Sequence, residues 1–210
     1  MAMLPLAQAF AAGTSDQSGS SQILNGQVAL HTSISDLHTV IDNVGSDVGV
    51  QSVAAGNVVD ITTMNDTHVT NNQYVSSVDI SSDLGARVTN VGGNVGIQGQ
   101  AVCNSASVLT DPAITAISNT QVCEAIDPAS NAYVDAANIS GSFSLANSAI
   151  GNSLQADTNA ANMPITSTQV NHSNVDAVTT ANVFNVAGTV SVTSAAIGNN
   201  AQIVHYSTGN

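Results

Sequence analysis

At 210 residues the chain is long enough for one ordinary domain or one compact repeat array. Charged residues make up 7% of it, where a soluble domain usually carries about 25%, and the single basic side chain, Arg87, stands against 14 acidic ones, for a formal charge of −13. That balance excludes nucleic acid, whose binding needs Lys and Arg to displace counterions, and adsorption to an anionic membrane surface.

Residues 1–12 (MAMLPLAQAFAA) are apolar, end in an A-x-A pattern at Ala7-Gln8-Ala9 or Ala9-Phe10-Ala11, and lack basic residues. They read as the remnant of a secretory signal, with a flexible polar linker following at 13–22. From Ile23 to the end the chain reads as a single repeat-built β domain (23–210). No segment approaches the ~18 apolar residues needed for a transmembrane span.

The organising feature is a strand that recurs four times, at 44–57 (VGSDVGVQSVAAGN), 91–104 (VGGNVGIQGQAVCN), 139–152 (ISGSFSLANSAIGN) and 186–199 (VAGTVSVTSAAIGN). The closing asparagines Asn57, Asn104, Asn152 and Asn199 are spaced 47, 48 and 47 residues apart. Such regularity marks a repeat architecture. Apolar columns run through the copies: Val44, Val91, Ile139 and Val186; Val48, Val95, Phe143 and Val190; Val50, Ile97, Leu145 and Val192; Ala54, Ala101, Ala149 and Ala196. Polar or small residues alternate with them, which is the period-2 pattern of a half-buried strand. The final Gly-Asn (Cys-Asn in one copy) reads as a turn that stops it. With 43% hydrophobic residues in strict alternation, the chain does not read as disordered.

Between these copies lies a second element, Ile61-Thr62 with Thr67-His68-Val69, then Ile114-Thr115 with Thr120-Gln121-Val122, shortened at Ile165 to Val170. Apolar pairs follow it: Tyr74-Val75, Tyr133-Val134 and Val183-Phe184. Insertions containing Asp-Pro fall at 109–113 and 125–131, where proline belongs to turns. Ala156 to Asn162 has the composition for at most one helical turn.

Copies aligned in register predict strands stacked on their own equivalents. The fold expected is all-β, a β-solenoid (parallel β-helix), with an antiparallel β-sandwich as the alternative. Asn57, Asn104, Asn152 and Asn199 form an amide turn ladder at one corner. A 47-residue repeat exceeds the usual unit of about 20–45 residues, so two coils per repeat are expected. Cys103 replaces the turn glycine, Cys123 lies 20 residues on, and the two are a candidate disulfide in an exported chain.

No catalytic constellation emerges. Glu124 is the lone glutamate, and the aspartates are scattered and read as solvated surface, with Asp79 and Asp83 grouped near Arg87 in a salt-bridge cluster. The histidines make no H-x-H or HExxH pattern, no G-x-S-x-G elbow or P-loop occurs, and no cofactor or metal is indicated. Asn65, Asn138 and Asn171 open N-x-S/T sequons.

The copies ending Ser148-Ala149-Ile150-Gly151-Asn152 and Ala195-Ala196-Ile197-Gly198-Asn199, in a Val/Ser/Thr/Asn-rich chain almost without basic residues, resemble the HfaD family of bacterial holdfast-anchoring proteins. More distantly they resemble curlin-type secreted adhesive subunits, without the Gln/Asn spacing of curlin repeats. The resemblance implies a non-enzymatic, extracellular or outer-surface protein. Such a protein multimerises, works with other envelope anchor or secretion proteins, and tethers an adhesive exopolysaccharide to the cell envelope. A phage or autotransporter fibre segment and a polysaccharide-degrading β-helix enzyme are the competing classes.

Overall fold

A computed structural model describes residues 21–76, 78–110, 115–158 and 162–206. The expected signal remnant lies outside these residues, as does all of the expected linker except Ser21 and Gln22, which belong to the first strand. Twelve strands follow in order: β1 Ser21–Ala29, β2 Ser33–Val44, β3 Val48–Thr63, β4 Thr67–Ser76, β5 Ile80–Val91, β6 Val95–Thr110, β7 Thr115–Glu124, β8 Pro128–Ile139, β9 Phe143–Thr158, β10 Ile165–Asn171, β11 Asp176–Val186 and β12 Val190–His205. They form three four-stranded sheets: face I (β1-β4-β7-β10), face II (β2-β5-β8-β11) and face III (β3-β6-β9-β12). Every pairing is parallel and joins strands three apart in sequence. The fold is therefore a parallel β-solenoid, and the antiparallel sandwich is ruled out.

One 47- or 48-residue repeat makes one three-sided coil, so the expectation of two coils per repeat is wrong. The repeat is long because its strands are long, with 16 residues in each face III strand. The second element misled for a related reason. Thr67 pairs with Thr115 rather than Thr120, and Val69 with Ile117. A Thr/Ser/Val-rich chain offers shifted matches of nearly equal quality, and only backbone pairing separates them. Likewise Tyr74 lies on face I while Tyr133 and Phe184 lie on face II, so those apolar pairs are not equivalent. The one helical turn considered at Ala156 is absent through Thr158, which ends β9.

Two changes of phase shape each coil. On β5, Ser82, Leu84, Ala86 and Val88 point inward, and the next inward residue is Val91, three positions on. The extra residue is Asn90, and the column Asn43, Asn90, Asn138 and Asn185 has φ between 51° and 59°. Asparagine tolerates this left-handed conformation better than most residues, and here it bulges the strand so that the chain turns onto face III. The second change falls inside β3, β6, β9 and β12. Alternation runs through Ala54, then resumes at Asn57, with Gly56 between. A Cβ on Gly56 would lie 2.6 Å from the Cys103 carbonyl oxygen, and one on Gly151 would lie 2.3 Å from that of Gly198. Gly-Asn therefore does not stop the strand; it switches which residues face inward halfway along it.

Along that inward path the interior alternates between apolar and polar compartments. Val91, Val95, Ile97, Val134, Ile139, Phe143 and Leu145 belong to the largest apolar cluster, between faces II and III. A hydroxyl–amide seam follows, in which Ser82 donates to Ser52 (2.9 Å) and Ser130 to Asn147 (2.6 Å). Next come Ala54, Val75, Ile80 and Ala101 with the cysteines, then an amide seam, then Ile61, Val69, Val108 and Ile117.

The amide seam consists of two ladders. Asn57 donates to Asn104 (2.9 Å), Asn104 to Asn152 (2.8 Å) and Asn152 to Asn199 (2.8 Å). Opposite it on face I, Gln169 donates to Gln121, Gln121 to Gln73 and Gln73 to Gln27, each at 2.8 Å. The second amide hydrogens cross between faces: Asn104 donates to the Val122 carbonyl, and Gln121 to that of Ser153. Burial without partners would cost each such amide roughly 1–3 kcal/mol. Asn104 and Gln121 are both fully buried. Asn104→Ala strands the donor of Asn57, the acceptor of Asn152 and the Val122 carbonyl, and is expected to lower stability by about 3 kcal/mol. Urea denaturation of the two proteins checks this; a change below about 1 kcal/mol would show that the ladder contributes little.

Candidate functional site

Among the described residues the interior is occupied by the three apolar clusters and the two polar seams, which leaves the outer faces and the stack ends as the surfaces open to a partner. Cys103 on β6 and Cys123 on β7 are fully buried and joined by a disulfide between faces III and I of one coil. A closed loop of this size restricts the unfolded chain by about 3 kcal/mol. The bridge is structural in placement, with no exposed thiol for chemistry. Asn57, Asn104, Asn152 and Asn199 lie within strands, where their amides hold adjacent coils together; the first three are buried and Asn199 is exposed. Asn138 belongs to the left-handed corner column, where Asn185 donates to Asn138 (2.8 Å) and Asn138 to Asn90 (2.9 Å).

Arg87 makes no ion pair with Asp79 or Asp83, which corrects the expected salt-bridge cluster. Four residues along an extended strand span roughly 13 Å, so sequence neighbours on β5 are too far apart to pair. The charge of Arg87 is felt instead by Asp42 on the adjacent strand, as a minor contribution. Hydrogen bonds from Thr89 (2.6 Å) and Asn90 (2.8 Å) hold the Asp42 carboxyl below its usual value of 3.8.

Across face I, Tyr74 donates from β4 to Glu124 at the end of β7, and His172 lies 3.3 Å from the same carboxylate. These bonds, that of Tyr74 first, hold Glu124 below its usual value of 4.5. The trio ties three coils at an exposed edge, and a carboxylate kept ionised there is an acceptor, not a poised acid. Among the described residues no group of three His, Cys, Asp or Glu side chains could hold a metal ion.

The aspartates are not scattered once the strands are stacked. Asp36, Asp42, Asp83, Asp135 and Asp176 all lie on the outer surface of face II, with Arg87. The outer surface of face III carries Asp60 and Asp157, and that of face I carries Glu124. A shallow groove crosses face II, lined by Asp36, His38, Asp83, Asn131, Tyr133 and Thr180 over Leu84, Gly85 and Ala132. The register shifts of 47 and 48 residues that bring these side chains together are the ones the repeat spacing implies.

The stack also has two open edges among the described strands, β1-β2-β3 and β10-β11-β12. At the second, Val190, Val192 and Ile203 occupy the inward columns of Phe143, Leu145 and Ala156, yet each is about half-exposed. Ladder polarity makes the edges complementary. The asparagine ladder runs donor to acceptor from the first coil to the fourth, and the glutamine ladder runs the other way.

Residues 137–210 match the family model of holdfast attachment protein D, HfaD. The match spans the motif copies at 139–152 and 186–199, and over these residues the chain is HfaD-like. Comparisons with curated proteins and with solved structures return no match. Among the described residues no helix is long and apolar enough to cross a membrane.

Acid sensitivity follows from the two carboxyls. Their folded values are lowered, so their stabilisation is present above about pH 4.5 and is lost as pH falls through the lowered values. Urea midpoints between pH 6 and pH 3 are expected to fall less steeply in the Tyr74→Phe and Asp42→Asn variants than in the parent. Parallel curves would remove these carboxyls from the account.

Proposed function

We propose that this HfaD-like chain is a non-enzymatic, extracellular adhesive protein that helps to anchor a holdfast polysaccharide to the bacterial envelope. The observation that carries the reading is the match of residues 137–210 to the holdfast attachment family. Attachment asks for many weak contacts on a rigid frame, and the physical properties of the stack suit that task. Its outer faces present hydroxyls, amides and carboxylates in register at strand spacing, and its interior is cross-linked by ladders on every coil.

Self-association is the second part of the reading. An added coil from another copy would cover the half-exposed Val190, Val192 and Ile203 and pair the backbone groups of β12. It would also extend both ladders with correct polarity, Asn199 donating to Asn57 and Gln27 to Gln169 of the neighbouring copy. A fibre segment of trimeric type is the less favoured alternative, since each three-sided coil is completed by one chain.

Two outcomes are expected. Deleting the gene should release polysaccharide from cells into the medium while leaving its synthesis intact; full retention would contradict the reading. Purified chain should form multimers whose size grows with concentration, and Val192→Lys at the open edge should shift them towards single chains in light scattering. A wild-type chain that stays monomeric at every concentration would remove self-association.

A further inference from the structure

We infer that β10 and the turn after it, residues 172–175, form a strap over the Cys103–Cys123 disulfide, so that thiol exchange at this bond and assembly at the fourth coil's edge exclude one another. The first half stands on geometry alone; the second deepens the self-association reading above and rests on it.

The cover on the disulfide is uneven. On the first-coil side Cys103 is flanked by β3, which has 16 residues and pairs with β6 along its length. On the fourth-coil side Cys123 is covered by β10, with 7 residues the shortest of the described strands. The inward column of Ala29, Val75 and Cys123 ends there in Asn171. This side chain reaches across the interior: a Cβ on Gly151 of β9 would lie 2.8 Å from its Oδ1. An amide thus closes a compartment otherwise made of Ala, Val, Ile and the disulfide.

The turn folds back over the same bond. It is one residue longer than the corners at 30–32 and 125–127. Ser173 Oγ lies 3.5 Å from Cys123 Sγ and donates to the Ala125 carbonyl (2.7 Å). Asn171 Nδ2 donates to the Ser173 carbonyl (3.0 Å), and the His172 backbone N–H donates to that of Cys123 (2.9 Å). Outside, His172 and Tyr74 meet on Glu124, which clasps the strap to the second and third coils. Breaking these few bonds uncovers Cys123, whereas uncovering Cys103 means stripping away a 16-residue strand. Segments held by few contacts open most often.

The chemistry requires that opening. A thiolate attacking the Cys123 sulfur forms a mixed disulfide and releases Cys103 as its thiolate. A second thiol of the reductant then displaces Cys123, so the two cysteines gain two electrons and two protons and the reductant leaves as a disulfide. Bond formation is the reverse: the cysteines give two electrons and two protons to a disulfide oxidant, which leaves as two thiols. Both directions need the strap lifted. A second copy added at the fourth coil's edge pairs with β10 and holds the strap down, as does anything that binds only the closed form. Oxidation therefore precedes assembly, and assembly seals the bond.

The test follows reduction of the full chain by dithiothreitol. In dilute solution H172A and S173A should each speed reduction by about threefold and the double variant by about tenfold, the loss of one or two modest hydrogen bonds. Q51A, on the outer surface of face III, should reduce at the parent rate. In hydrogen exchange the His172 backbone N–H should exchange about tenfold faster than those of β6, and β6 should be equally protected in S173A and the parent, which marks a local opening. Concentrations that give multimers should slow reduction about tenfold in the parent and leave Val192→Lys at its dilute rate. Equal reduction rates in the parent and the double variant, or a strap that opens only together with β6, would overturn the strap. Multimers reduced as fast as single chains would overturn the exclusion. A parent that stays monomeric at every concentration removes self-association and the second half with it, while the dilute rates still decide the strap.

Discussion

The structure depends on burying primary amides that have nowhere to turn except along the stack. Asn104 and Gln121 are fully enclosed, and each has one partner in the next coil and one backbone carbonyl on the opposite face. A coil slipped by one residue would point these side chains outward and bring others in, leaving several donors and acceptors unpaired at once. The ladders therefore fix register between coils, which an interior of Val, Ile and Ala could not do alone. Valine slides past valine at little cost; an amide without its partner does not.

This constraint also explains why the core is divided. A continuous apolar interior between long strands would have few features to define a single packing. The serine–asparagine seam and the amide seam cut it into three compartments, each narrow enough for small side chains to fill, with Phe143 in the largest as the one buried aromatic among the described residues. Cys103 and Cys123 lie in the middle compartment and add a covalent link where Ala54 and Ala101 leave the packing least bulky.

Much of the fold was legible in the sequence because its strongest signal, alternation repeated at 47–48 residues, is the signal that dictates it. Parallel stacking follows directly from columns such as Val95 over Val48 and Phe143 over Val95. The number of coils per repeat was not legible, since strand length is not encoded by period-2 alternation and a phase shift at Gly56 resembles a strand end. The corner asparagines were in plain view, preceding each copy at 43, 90, 138 and 185, but nothing in composition distinguishes a left-handed asparagine from the many others. The glutamine column at 27, 73, 121 and 169 was hidden by aligning Thr67 with Thr120. The acidic surface was missed for the opposite reason: Asp36 and Asp83 lie 47 residues apart and meet only once the strands are stacked. The holdfast resemblance rested on the copies ending at Asn152 and Asn199, within the residues that match the family model.

The central claim is that the amide ladders are closed and continuous along the stack, and side-chain amide hydrogen exchange measures it most directly. In the folded protein the amide groups of Asn104 and Gln121 should exchange orders of magnitude more slowly than those of Gln51, which faces solvent on face III. They should be released together with the global unfolding transition. Exchange of Asn104 and Gln121 at the rate of Gln51 would mean that water reaches the seam and that the coils are held in register by something else.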